Sequence, residues 1–308
     1  MICEKNRKPN GRAATIGTFD GVHRGHLDVI GQLERRASEE GLEPVVVTFD
    51  RHPLEVVAPE RVPSLLTTAA ERLHLLGATG VEASVYSFTR ELMGLTAREW
   101  LARLRRDLGV TLLLMGHDHT FGCDGKQLTL TDFQRIGAEE GVRVERATAL
   151  PGVSSSRIRA LLAEGNAEEA ALLLGRPFSR EGEVVHGRAI GRTIHFPTAN
   201  ILPAPGLLTP RAGVYAASAR VDADLPRPAL VNIGRRPTVE SNGHITIETH
   251  IPGFSGDLYG RHLRIEFQKF IREEVKFDSL DSLSTQIARD LESLKTLPRC
   301  KFFINFGN

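Results

Sequence analysis

The first half of the chain is built from apolar runs separated by amphipathic stretches, and this alternation restricts its fold more than any other feature. Ala13–Phe19 (AATIGTF), Pro44–Phe49 (PVVVTF) and Leu112–Met115 run apolar without the in–out pattern of a half-exposed strand. Such strands need cover on both faces, which a parallel sheet between helices provides. Val81–Phe88 and Val142–Ala147 read as further strands. Between the runs, His26–Glu40 carries Leu27, Ile30, Leu33 and Ala37 near helical spacing, and Gly41 suits its stop. Ala69–Leu76, Ala97–Leu108 and Leu130–Gly141 read as the next helices. Regular strand–helix alternation predicts an α/β domain with a parallel sheet.

The pattern changes after about residue 180. Ser155–Leu174 still reads as helix, broken near Gly165-Asn166. Short alternating segments then follow, divided by Gly and Pro: Gly182–Val185, Gly213–Val221, Ala229–Ile233, Ile245–Ile251 and His262–Phe267. They predict a small antiparallel barrel or sandwich, closed by one helix at about Ser282–Leu294. A length of 308 residues suits two domains. The expected division is 1–180 and 181–308, with Gly175-Arg176-Pro177 as the hinge.

Composition excludes several classes. With 41% hydrophobic and 25% charged residues the chain is not disordered as a whole. Lys+Arg at 39 against Asp+Glu at 38 leaves +1, with no basic field for bulk nucleic-acid binding. Cys3, Cys123 and Cys300 are odd in number and far apart, which argues against a disulfide framework and for a reducing cytoplasm. The basic N-terminus (MICEKNRKPNGR) has no apolar stretch behind it, so a secretory signal is not expected. No apolar run approaches the ~18 residues of a membrane helix. The tail CKFFINFGN is either a disordered end or a packing strand.

The densest chemical signal is Gly17-Thr18-Phe19-Asp20-Gly21-Val22-His23-Arg24-Gly25-His26, between a predicted strand and a predicted helix. Open α/β sheets bind ligands at that carboxyl end. The glycines permit close approach to phosphate, and the helix start offers unpaired N–H groups. His23 and His26 lie one turn apart, so both rings can face one anion that gains charge during transfer. An Asp-Gly turn with two surface histidines is the plainer alternative. A metal reading of the pair lacks a third ligand at zinc spacing. His117 and His119 (GHDH) form either a metal pair or a polar strand-end loop, with Asp118 aimed the other way. In Ser154-Ser155-Ser156-Arg157-Ile158-Arg159 the serines suit a helix cap, and the arginines can grip phosphates. Phe49, at the end of the second strand, is either a core aromatic or a ring-stacking platform.

In the second half, Gly187–Asn200 (GRAIGRTIHFPTAN) is a Gly-rich, Arg-bearing loop leading into Pro197-Thr198-Ala199-Asn200. Thr198 and Asn200 are hard oxygen donors on one side of an extended chain, able to hold Mg2+ and ATP phosphates or merely to cap a turn. Ile245–Ile251 alternates: Ile245, Ile247 and Ile251 face the core, and Thr246, Glu248 and His250 face the other side. Glu248 is a solvated carboxylate or a base aimed into a cleft.

Taken together, the N-terminal motifs GTFDGVHRGH, TFDRHP, GHDHTFGCDG, SSSRIR and LLAEGNAEEAALLLGRPF resemble the nucleotidyltransferase module of prokaryotic bifunctional riboflavin kinase/FAD synthetases. EGEVVHGRAIGRTIHFPTANI, GVYA, VNIGRRPT, IETHI, DLYG and IREEVKF resemble their riboflavin kinase module. The resemblance implies an α/β Rossmann-like nucleotidyltransferase domain, then an antiparallel Greek-key β-barrel with a C-terminal helix. It implies phosphorylation of riboflavin to FMN and adenylylation of FMN to FAD, with ATP as co-substrate and Mg2+. Riboflavin, FMN, FAD and ATP would be the partners, with no nucleic acid and no membrane; a homo-oligomer is compatible with it. By the same resemblance His23, His26, Arg159 and Glu248 are catalytic. Gly17, Phe19, Asp20, Gly25, Ser155, Ser156, Gly187, Gly191, Arg192, Thr198 and Asn200 meet ATP or phosphate. Phe49, Asp118, Phe121 and Arg272 meet flavin, and Thr198 and Asn200 hold the metal. The chain departs from the family pattern at His119, usually Phe, at Ser156, usually Thr, and at His195, usually Gly. His119 should alter the flavin pocket, and His195 the phosphate loop. The alternatives are a nucleotidyltransferase acting on another phosphorylated acceptor and a flavin-binding regulatory protein.

Overall fold

The expected parallel sheet forms, and its strands are covered from both sides because successive residues of each strand bury against different helices. The computed structural model describes residues 11–187, 190–235 and 245–296. The first ten residues with Cys3, and the tail with Cys300, lie outside them. The chain divides by packing into two units, Met1–Val153 and Ser154–Asn308.

The first unit runs β1 (Arg12–Ile16), α1 (Arg24–Glu40), β2 (Glu43–Phe49), α2 (Leu54–Val57), α3 (Ala69–Gly77), β3 (Glu82–Tyr86), α4 (Arg90–Gly94), α5 (Ala97–Leu108), β4 (Val110–Met115), α6 (Leu130–Glu139) and β5 (Arg143–Arg146). All strand pairs are parallel, in the order β3-β2-β1-β4-β5. Ala14, Ile16, Val45, Val47, Leu113 and Met115 pack with Trp100, Leu101, Leu104 and Phe133 of α5 and α6. On the other face Ala13, Leu112 and Leu114 pack with Leu33 and Ala37 of α1, and Val46 packs with Ile30 and Leu76. Each large side chain fully buried in this way contributes about 1.5–3 kcal/mol. The strand order reverses between β1 and β4, which opens a crevice at their carboxyl ends.

The second unit runs α7 (Ser155–Glu164), α8 (Ala167–Leu174), β6 (Phe178–Val185), α9 (Ile190–Thr193), β7 (Ala199–Ile201), β8 (Gly213–Val221), β9 (Arg227–Arg235), β10 (Ile245–His250), β11 (His262–Arg272) and α10 (Leu280–Glu292). The strands form a closed antiparallel barrel in the order β10-β7-β6-β11-β8-β9. Tyr215, fully buried, donates its hydroxyl to the Arg211 carbonyl at 2.7 Å and meets Phe267 and Phe270 edge-on. Among the described residues no helix is long and apolar enough to cross a membrane.

Most elements lie where the sequence places them, including the break between α7 and α8, where Asn166 caps α8 by accepting the Glu169 N–H at 3.1 Å. Two differences have physical causes. β1 stops at Ile16 rather than Phe19, because Phe19 and Val22 take positive φ values of 51° and 37°. The helical segment before the hinge packs with the barrel: the Arg211 N–H donates to the Leu162 carbonyl at 2.9 Å, and Gly165 lies against the Phe270 ring.

Candidate active sites

His23 is the N-cap of α1, and His26 is the third residue inside the helix. The His23 Nδ1 accepts the His26 backbone N–H at 3.2 Å, and the His26 Nδ1 accepts the His23 backbone N–H at 3.4 Å. This is a capping box made from imidazoles, where Ser or Thr with Glu is usual. The rings stack with centroids 3.6 Å apart and planes 13° from parallel, and Phe19 meets the His26 ring edge-on at 5.1 Å. A nitrogen that accepts an N–H carries no hydrogen, so the neutral form of each ring bears its hydrogen on Nε2. The site thus offers a pair of Nε2–H donors at the positive end of a 17-residue helix. Gly25 makes room for this: a Cβ there would stand 3.2 Å from the His23 ring. Gly17 does the same for the Phe19 ring, also at 3.2 Å.

The loop before the helix is held by Asp20, which is 2% exposed. Its carboxylate accepts the Leu66 N–H at 3.0 Å and the Thr67 N–H at 3.1 Å, and Gly21 donates its N–H to Thr67 Oγ1 at 3.1 Å. Asp20 therefore anchors the loop to the start of α3, a contact across 46 residues of sequence. From α3 the buried Arg72 donates to the Phe49 carbonyl at the end of β2. Burial pushes its pKa down, against the opposing pull of Asp20, Asp50 and Glu55. Nothing local in the sequence marks Arg72, whose helical position is that of any surface arginine.

Phe49 and Phe121 both belong to the core: Phe49 packs edge-on against Phe88 and Trp100, and Phe121 lies 4.8 Å from Phe133. Asp118 is exposed, with His117 Nε2 3.6 Å away. His119 points away from that pair, its Nδ1 lying 3.1 Å from the Ile16 carbonyl. Among the described residues no three His, Cys, Asp or Glu side chains are grouped to hold a metal. Ser155, Ser156 and Arg159 open α7 in the second unit, where Ser154 is the cap and accepts the Arg157 N–H at 3.2 Å. Arg157 pairs with Glu169 at 3.0 Å.

In the barrel, one row of paired residues runs across five strands. Glu248 on β10 stands opposite Asn200 on β7 and Asn232 on β9; Asn232 stands opposite Val214 on β8, which stands opposite Arg272 on β11. Residues opposite each other in a ladder share a face, so this row points one way. A cavity of about 270 Å³ opens on that face, lined by Gly191, Thr198, Asn232, Glu248, Arg272 and Glu274 among others. Of the residues singled out from sequence, Thr198, Glu248, Gly191 and Arg272 line this one cavity. Asn200 is buried beneath Gly187, where a Cβ would stand 2.4 Å from its amide nitrogen. Gly191 is equally constrained: its Cβ would meet the Phe196 carbonyl oxygen at 2.2 Å. The Arg192 side chain lies outside the described part of the structure.

The cavity also holds residues that sequence reasoning missed. Asn232 Nδ2 donates to Glu274 at 3.1 Å, so a second carboxylate borders the cavity. Arg272 makes a forked pair with the buried Asp290 of α10, with its Nη2 2.7 Å and its Nε 3.0 Å from Oδ2. His250 Nδ1 lies 2.8 Å from the Pro197 carbonyl, fixing the chain just before Thr198. A polar residue between the core-facing Val231 and Ile233 was a signal for Asn232, which shares the face of Glu248; nothing local marks Glu274 or Asp290.

By fold and site geometry the chain is a two-part transferase, with a nucleotidyltransferase-type sheet and a kinase-type barrel. Family sequence models agree: that of FAD synthetase matches residues 5–159, and that of riboflavin kinase matches residues 174–297. The bifunctional riboflavin kinase/FMN adenylyltransferase of Pseudomonas fluorescens is 39% identical over 301 residues, covering 95% of either chain. That of Escherichia coli K12 is also 39% identical, over 91% of this chain and 90% of its own. A crystal structure from Streptococcus pneumoniae, described as a macrolide-efflux protein, matches with a TM-score of 0.85 at 29% identity, over 96% of this chain and 97% of that one. The chain belongs to the bifunctional riboflavin kinase/FMN adenylyltransferase family.

Proposed function

We propose that the barrel phosphorylates riboflavin to FMN with ATP and that the parallel-sheet unit adenylylates FMN to FAD with release of pyrophosphate. The observation that carries this reading is the row Asn200–Glu248–Asn232, of which Glu248 and Asn232 line the same cavity as Thr198. A hydroxyl is a poor nucleophile until its proton has somewhere to go. Glu248 takes the proton of the riboflavin 5′-hydroxyl as its oxygen bonds to the γ-phosphorus and ADP departs. Such a base contributes roughly 10²–10⁴-fold. Thr198 and Asn200 supply neutral hard oxygens of the kind Mg2+ accepts beside phosphate and water. These two would hold Mg2+, which when bound neutralises phosphate charge. Gly187, Gly191 and Arg192 form the loop beside the triphosphate, and Arg272, fixed by Asp290, borders the flavin.

Adenylyl transfer needs no base, because an FMN phosphate oxygen is already ionised. It attacks the α-phosphorus while pyrophosphate leaves, and the demand is for donors to the crowded negative charge. His23 and His26 meet it through Nε2–H, with Ser155, Ser156 and Arg159 assisting; Gly17, Phe19, Asp20 and Gly25 shape the loop. Asp118 borders the flavin, and Phe49 and Phe121, each 6% exposed, back it from the core. We place the functional boundary near Arg180, after the Gly175-Arg176-Pro177 hinge; the two matched regions, 5–159 and 174–297, leave their gap just before that hinge. A free thiol at Cys123 and the use of ATP support a cytoplasmic setting. The formal charge of +1 supports small-molecule rather than nucleic-acid partners.

One chromatographic assay tests the reading. Riboflavin, ATP and Mg2+ should yield FMN and then FAD. Glu248→Ala should abolish FMN formation yet convert supplied FMN to FAD, and His26→Ala should do the reverse. Both activities surviving in both variants would overturn the assignments, and adenylylation of phosphopantetheine but not FMN would overturn the acceptor.

A further inference from the structure

His119 sits at the point where the strand order of the sheet reverses. It follows β4 through a turn closed by its own N–H on the Gly116 carbonyl at 3.2 Å, and its ring reaches the carbonyl of Ile16, the last residue of β1. It therefore bridges the crevice between β1 and β4, with Phe121 edge-on at 6.4 Å. Its tautomer is opposite to that of the paired histidines. At 3.1 Å from a carbonyl oxygen, Nδ1 must carry the hydrogen, since the other neutral form would set two lone pairs against each other. Nε2 is then a hydrogen-bond acceptor. The doubly protonated ring is disfavoured by burial, which lowers the pKa to about 4 with a smaller push from Arg146. Nε2 has no partner among the described residues, and His119 is half-buried rather than enclosed, which leaves the ring open to a ligand.

Resting on the two-reaction reading above, we propose that His119 is a specificity-determining residue of the adenylyl-transfer site. Its Nε2 accepts a hydrogen bond from an O–H or N–H group on the organic part of a substrate. Ionised phosphate oxygens carry no hydrogen to give, so phosphate binding falls to the Nε2–H groups of His23 and His26. Both FMN and ATP carry suitable hydroxyl and N–H groups, and the experiment separates them.

Asn and Gln divide the functions of the ring. His119→Asn keeps a donor where Nδ1 stands and loses the distal acceptor, whereas His119→Gln carries an acceptor near the place of Nε2. KM is measured for FMN at saturating ATP, and for ATP at saturating FMN, with the thermal midpoint of each variant. We expect His119→Asn to raise one of the two KM values about three- to tenfold, the range of one neutral hydrogen bond, with kcat little changed. His119→Gln should recover most of that loss. The substrate whose KM moves is the one His119 reads. Unchanged KM values in His119→Asn, or equal losses in both variants that track a fallen thermal midpoint, would overturn the proposal. Should both variants fail to fold, His119→Phe in the full chain gives the same comparison, and unchanged KM values there overturn it equally. A wild-type protein unable to form FAD from FMN would instead refute the parent reading.

Discussion

His23 and His26 each give a backbone N–H to the other's Nδ1, at 3.2 Å into His23 and 3.4 Å into His26. One pair of contacts thus serves two ends. It satisfies two of the N–H groups that a helix leaves orphaned, and it fixes which nitrogen of each ring carries hydrogen. In the proposed adenylyl transfer the donors are set before substrate arrives, so little reorganisation is needed as charge builds at the α-phosphate.

The two roles of His23 are separable by substitution. Asn can accept the His26 N–H as His23 does, but it has no Nε2–H. His23→Asn and His23→Ala should both lower FAD formation from FMN by about 10²-fold. Only His23→Ala should also lower stability, by about 1 kcal/mol, on denaturant titration. Equal stabilities for the two variants would remove the cap, and retained activity in His23→Asn would remove the donor.

Gly191 tests the loop that leads to Thr198. A Cβ at 2.2 Å from the Phe196 carbonyl oxygen forces the backbone between them to move. A shift of about 1 Å at a phosphoryl-transfer site costs roughly 10²-fold. FMN formation in Gly191→Ala should fall by that order, while conversion of supplied FMN to FAD is kept. Unimpaired FMN formation would show that the loop does not position Thr198.

His195 occupies an exposed position with φ of 64°, a region that β-branched residues strongly avoid. His195→Val should be less stable than His195→Gly by about 1–2 kcal/mol in thermal melts. Equal melting would mean that the chain relaxes out of this conformation at little cost.

His119 should make stability depend on pH in a defined window. Its folded pKa of about 4 lies below the ordinary 6.5, so folding favours the neutral ring. That contribution is present in full above pH 6.5 and is lost as pH falls toward 4. Wild type should therefore lose stability relative to His119→Asn between pH 7.5 and 4.5, as read from urea midpoints; the difference cancels the titration of the carboxylates. A constant difference would place the ring in water.

The sequence revealed what depends on local pattern. Apolar runs predicted the sheet, and the spacing of His23 and His26 predicted one turn of helix with both rings together. The alternation of Ile245–Ile251 put Glu248 and His250 on one face, and both line the barrel cavity. What escaped depends on contacts far along the chain. Asp20 looked like a turn residue near phosphate, yet its partners are Leu66 and Thr67. Glu274 enters the site through Asn232, 42 residues away, and Asp290 through Arg272. The grouping of α7 and α8 with the barrel likewise follows from contacts such as Arg211 with Leu162, which no helical periodicity announces.

Closure of the barrel also decides where the protein is vulnerable when partly unfolded. Among the described residues every barrel strand has a neighbour on each side, whereas β3 pairs only with β2 and β5 only with β4. An unpaired strand edge is a template for intermolecular β-pairing, so aggregation has its footholds in the N-terminal half. Both rims are studded with charge, from Glu82 on β3 to Arg143, Glu145 and Arg146 on β5, beside a Val85 that is 43% exposed. Those charges are the chain's guard against sticking to its own copies.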